Sequence, residues 1–84
     1  MSNEAPMDVG LQPLDALMNK LEISNHDLVA AVQPGYLTHK QVQKGRKGRR
    51  LTPKIQDKIL HALNVFIDGE DYTIEDLFNY RGKH

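Results

Sequence analysis

Eighty-four residues without a cysteine, 39% of them apolar and with eleven bases balanced by eleven acids, leave room for one small domain and exclude a disulfide framework or a thiolate metal centre. A chain this short buries only about 60% of its unfolded surface, so its helices must be well capped or the protein must dimerise to hold a core. The opening MSNEAPMDVG has neither a basic nor an apolar targeting segment and no apolar run reaches bilayer length, so a soluble, cytoplasmic protein is expected.

In chain order, residues 1–10 mix acids, Pro, Gly and Ser/Asn without periodicity and read as a disordered tail. Pro13 suits a first helical turn, and Leu14, Leu17, Met18 and Leu21 follow at helical spacing, which predicts a first helix. Ser24 with Asp27 approximates a capping box and opens a second helix through the apolar stretch 28–32; the turn residues Gln33-Pro34-Gly35-Tyr36 end it. Thr38 with Gln41 is a full capping-box pattern. It opens a third helix with Val42 inward and Lys and Gln outward, expected to fray at Gly45 or Gly48 because glycine and clustered like charge both weaken helices.

Thr52-Pro53 supplies an N-cap and a first helical residue for the longest helix, whose apolar stripe is Ile55, Ile59, Ala62, Leu63 and Phe66. Asp68-Gly69, flanked by Phe66-Ile67 and Tyr72, allows a short hairpin. Thr73 with Asp76 caps a last helix bearing Ile74, Leu77 and Phe78. The expected fold is all-α, four to five short helices in one domain over 11–80, with a flexible C-terminus at 81–84.

The charge is unevenly placed. Between Tyr36 and His61 stand Lys40, Lys44, Arg46, Lys47, Arg49, Arg50, Lys54 and Lys58 against Asp57 alone, a local charge of +7. The rest of the chain keeps three of the eleven bases and ten of the eleven acids. A neutral protein with such a dipole points to a polyanion approached from one face, nucleic acid first. Lys40 and Lys44, four apart on a helix, repel each other, so a partner anion explains them better than helix stability does.

The order of these pieces resembles the lambda-repressor-like, Xre-type helix-turn-helix DNA-binding family over residues 14–64, with 73–78 matching its final helix. The resemblance rests on Ser24-Asn25-His26-Asp27-Leu28, on Thr38-His39-Lys40-Gln41-Val42, on Gly48-Arg49-Arg50 as a Gly-Lys/Arg loop, and on residues 55–63 as a core helix with an Ala-Leu end. Three positions depart from the family pattern. Val29 replaces a small residue, the turn around Gln33-Pro34-Gly35 is longer than the family's tight turn, and Arg46 stands where the family commonly has Glu.

The resemblance implies a transcriptional regulator that binds duplex DNA, with residues 38–48 as recognition helix and basic loop. Carried over position by position, Thr38, His39, Lys40, Gln41 and Lys44 stand at base edges, with Gln43 further along. Asn25, Arg46, Lys47, Arg49, Arg50 and Lys54 stand at phosphates. Gln pairs with adenine and Lys reaches guanine acceptors. With roughly six phosphates neutralised, log affinity falls against log salt with a slope of about −5. The family's habit also implies a homodimer, for which Ile74, Leu77 and Phe78 are candidates; with Tyr80, the same residues could instead close the monomer core.

Two other readings stay open. Gly45-Arg46-Lys47-Gly48 fits the GXXG loop with which KH domains clamp single-stranded RNA, although that fold needs a sheet. A protein-interaction module could dock an acidic partner on the basic face or pair its last helix with another chain, and the acids Asp68, Glu70, Asp71, Glu75 and Asp76 could steer a partner or repel DNA from that end. His26, His39, His61 and His84 have no i,i+4 pairing, so no metal site is expected, and no cofactor is implied. No nucleophile, base and orienting group recur at a recognisable spacing, so an enzyme is not expected.

Overall fold

Five helices lie within residues 10–80, the part of the chain that the computed structural model describes. They are α1 (Pro13–Leu21), α2 (Asn25–Ala30), α3 (His39–Lys47), α4 (Pro53–Phe66) and α5 (Ile74–Leu77). Among the described residues there is no strand, and the all-α expectation holds. The expected tail over 1–10, apart from Gly10, and the expected flexible end at 81–84 lie outside the described residues. No helix among the described residues is long and apolar enough to cross a membrane.

The caps act as their spacing predicts. The Ser24 amide donates to Asp27 Oδ2 at 2.9 Å and the Asp27 amide to Ser24 Oγ at 3.1 Å. Thr38 and Gln41 exchange the same two bonds at 3.1 and 3.0 Å. The Thr52 hydroxyl accepts from the Ile55 amide, and the Thr73 amide donates to Asp76 Oδ2. Each cap satisfies N–H groups that a helix start leaves without an intrahelical partner. At the other end of α1, Glu22 adopts the left-handed conformation at φ 59°, a region usually left to glycine.

One local expectation is narrowed and one is corrected. Of the two glycines at which α3 is expected to end, it is Gly48 that stops it: the helix runs through Gly45 to Lys47, and the φ of 95° at Gly48 is one that only glycine adopts readily. Gly45 is buried inside the helix, where a Cβ would sit 3.1 Å from Ile59 Cδ1 and 3.2 Å from Leu51 Cδ1. The missing side chain lets α4 and the following loop close onto α3, and that packing outweighs the low helix propensity of glycine. The hairpin around Asp68-Gly69 does not form. Asn64 on α4 accepts from the Tyr72 amide at 2.8 Å and donates to the Tyr72 carbonyl at 3.2 Å, which answers the backbone groups a second strand would have paired.

Helix α1 packs on α3 and α5, α2 on α3 and α4, and α4 on α3 and α5. Leu14 and Met18 of α1, Leu28 of α2, Leu37, Val42 of α3, Ile59 and Leu63 of α4 and Leu77 of α5 are 2% exposed or less. Each such aliphatic side chain contributes about 2 kcal/mol by leaving water. The α4 stripe differs from its reading at both ends: Gln56 is fully buried, whereas Phe66, in the last turn, is 42% exposed. Gln56 is admitted because its Nε2 donates to the Tyr80 carbonyl at 3.0 Å.

The C-terminal segment closes the core. Leu77 is fully buried and Phe78 is 3% exposed, so Ile74, Leu77 and Phe78 do not form an outward apolar seam. Of the three only Ile74 is half-buried. Leu77 and Phe78 thus serve the core of the single chain.

Candidate nucleic-acid interface

Helix α3 has one face in the core and one face in solvent. Val42 and Gly45 point inward, while Lys40, Gln43, Lys44 and Lys47, at spacings of three and four, form an exposed row on the opposite side. This row, with Asn25 and His39 on one flank and Arg49 beyond the Gly48 cap, lines an open depression. None of its seven lining residues is acidic, so the surface concentrates positive potential. His39, Lys40, Lys44, Lys47, Arg49 and Asn25 are thus brought together as the sequence suggested.

Other predicted contact residues are placed elsewhere. Thr38 and Gln41 do not line the depression; Gln41 Oε1 is held by the Thr38 amide, so both serve the cap of α3. Lys54 is exposed near the start of α4, and the Arg50 guanidinium carbon lies 5.1 Å from the centre of the Tyr80 ring, a cation-π contact. Lys58 makes a similar contact with Tyr36 at 5.2 Å.

Arg46 is not an outward phosphate ligand in this arrangement. Its Nε donates to Asp15 Oδ1 at 2.7 Å, Nη1 to Asn25 Oδ1 at 2.8 Å and Nη2 to Asn19 Oδ1 at 2.9 Å. A rigid guanidinium fork fits three acceptors on two other helices, which an ammonium cannot do. Its side chain is only 15% exposed. The residue read as added surface charge therefore works as a bracket that holds α1 and α2 against α3.

Asn25 passes that bracket on to the outer face. While its Oδ1 accepts from Arg46, its Nδ2 donates to Gln43 Oε1 at 2.9 Å. Gln43 is the one carboxamide of α3 that lines the depression, and its orientation is set by this bond. The sequence pattern favoured Gln41 as base reader because it stands nearer the helix start. The cap withdraws Gln41 and leaves Gln43 presented.

The fold also joins two histidines thirteen residues apart. His26 Nδ1 and His39 Nε2 are 3.4 Å apart, and the ring planes are inclined by 22°. The ring centres are 5.5 Å apart, further than the facing nitrogens by about the span of two half-rings, so the rings meet edge to edge rather than face to face. Which ring donates depends on the tautomer. Among the described residues no group of three or more His, Cys, Asp or Glu side chains could hold a metal ion.

The GRKG run is not a loop. Gly45, Arg46 and Lys47 belong to α3, and Gly48 is its C-cap. The geometric premise for clamping single-stranded RNA between the two glycines is therefore missing.

Compared with protein-family models, with curated proteins and with solved structures, the chain matches none.

Proposed function

We propose that this chain binds double-stranded DNA, as a helix-turn-helix regulator would, by laying the outer face of α3 in the major groove. The observation that carries the reading is the exposed row Lys40, Gln43, Lys44 and Lys47, continued by Arg49, around one depression without an acidic side chain. A major groove about 12 Å wide admits a helix. Lys44, Lys47 and Arg49 answer phosphates, Arg50 and Lys54 extend the positive rim, and Gln43 supplies both a donor and an acceptor for a base edge. His39 and Lys40 enter with the first turn. Nucleic-acid binding by this face needs no contribution from Arg46.

The test is fluorescence anisotropy of labelled random duplex DNA, single-stranded DNA and single-stranded RNA of equal length, titrated at several salt concentrations. The expected result is duplex preference with a slope of log affinity on log salt of about −4.5, for roughly five neutralised phosphates. Lys44→Ala and Arg49→Ala should each lower affinity for all duplexes and reduce the slope by about 1. Single-strand preference would overturn the duplex reading. No binding at low salt would leave the basic face to an acidic protein partner.

A further inference from the structure

The basic loop that leaves α3 is held by a residue from the far end of the chain. The Tyr80 hydroxyl accepts from the Leu51 amide at 2.8 Å and donates to the Arg49 carbonyl at 3.1 Å. One phenol oxygen thereby bonds backbone on both sides of Arg50, and the Arg50 guanidinium lies over the same ring at 5.1 Å. The ring is itself placed edge-on against buried Phe78, at 5.8 Å between centroids.

The segment carrying Tyr80 is anchored from two further directions. Gln56, fully buried in α4, donates from Nε2 to the Tyr80 carbonyl. Gln12, 2% exposed before α1, accepts from the Asn79 amide at 2.8 Å and donates to the Gly10 carbonyl at 2.9 Å. Two buried glutamines with partners at consecutive C-terminal residues are a costly arrangement for a segment with no task, since buried polar groups destabilise unless each is matched. A loop of cations needs such support, because its like charges favour a spread, mobile backbone.

We infer that Tyr80 is a positioning residue for the DNA-binding surface: its hydroxyl fixes the backbone of 49–51, and through it the direction in which Arg49 and Arg50 meet phosphate. The inference rests on the duplex-binding reading for its functional half. Tyr80 touches no nucleic acid in this scheme. It removes the ordering entropy that the loop would otherwise lose on binding, which raises affinity without adding a contact.

Tyr80→Phe tests this, because it keeps the ring, the contact with Phe78 and the cation-π contact and removes only the oxygen. In the free protein, hydrogen exchange of the Leu51 amide should speed up by roughly tenfold while core amides such as that of Leu63 keep their protection. Affinity for random duplex should fall roughly threefold to tenfold, the range expected for one or two net hydrogen bonds. The affinity of Arg49→Ala should drop less further on adding Tyr80→Phe than that of wild type does, since the arginine to be positioned is gone. A purely structural tyrosine would not produce that coupling.

Unchanged Leu51 exchange in Tyr80→Phe would overturn the clamp. Freed Leu51 exchange with wild-type affinity would overturn its role in binding. A wild-type protein that binds no duplex would sink the duplex reading and this functional half with it, while the exchange measurement would still decide whether the clamp orders the loop.

Discussion

Arg46 and Asp15, 31 residues apart, meet at 2.7 Å between Nε and Oδ1 and tie the third helix to the first. Neither side chain is more than a quarter exposed, at 15% and 24%, and the guanidinium is completed by Asn19 and Asn25. Arg46→Ala should therefore destabilise the fold by about 2 to 3 kcal/mol, because it leaves a carboxylate and two amides without their donor. Arg46→Lys should recover little, since a single ammonium cannot span acceptors on two helices. Urea denaturation of the two variants checks both statements, and wild-type stability in Arg46→Ala would show that the bracket carries nothing.

The two glutamines of α3 should separate by phenotype. Gln41→Ala removes the side-chain half of the α3 capping box and should cost about 1 kcal/mol of stability. Gln43→Ala leaves the cap intact and should be nearly neutral in stability. Once a preferred duplex has been selected from a random pool, Gln43→Ala should relax base preference, with little change for random duplex. A larger loss of preference in Gln41→Ala than in Gln43→Ala would reverse these roles.

Acid should weaken the start of α2. The Asp27 carboxyl lies below the ordinary Asp range, chiefly because it accepts from the Ser24 amide and then from its hydroxyl. A group with a depressed folded pKa contributes stability above its unfolded value of about 3.9, and that contribution is lost as pH falls through the folded value. The thermal midpoint of wild type should thus decline below about pH 4. Asp27→Asn, which has nothing to titrate there, should show a shallower decline; parallel acid limbs for the two proteins would refute the assignment.

Gly45→Ala should not give the usual gain of helix propensity, about 1 kcal/mol. The added methyl would press on the Cδ1 atoms of Ile59 and Leu51, at 3.1 and 3.2 Å, with Leu14 Cδ2 at 3.6 Å closing the third side. Overpacking of this kind costs about 1 to 3 kcal/mol. The expected outcome is a net loss of about 1 kcal/mol, read by denaturation, and a larger loss in Gly45→Val. A stabilised Gly45→Ala would mean that α4 can retreat.

Features that depend on near neighbours are legible in the residues alone. The starts of α2, α3 and α4 follow from Ser24 with Asp27, Thr38 with Gln41 and Thr52 with Pro53, because a cap closes within four consecutive residues and needs nothing from the rest of the chain. The exposed face of α3 is legible for the same reason: once Val42 points inward, helical period puts Lys40, Gln43, Lys44 and Lys47 outward. The continuity of α3 through Gly45 was hidden, since it depends on Ile59 and Leu51 arriving from elsewhere.

How the polar side chains are used depends on residues far apart in the chain. Arg46 reads as a surface cation until Asp15, Asn19 and Asn25 surround it, and nothing local marks Gln12 and Gln56 for burial against Asn79 and Tyr80. His26 and His39, and Tyr80 with Leu51, have no local spacing that announces them. The physical reason is that an apolar side chain gains from leaving water against almost any neighbour, so its pattern suffices. A polar one is stabilised inside only by a particular partner at hydrogen-bond distance, and here that partner lies up to 67 residues away.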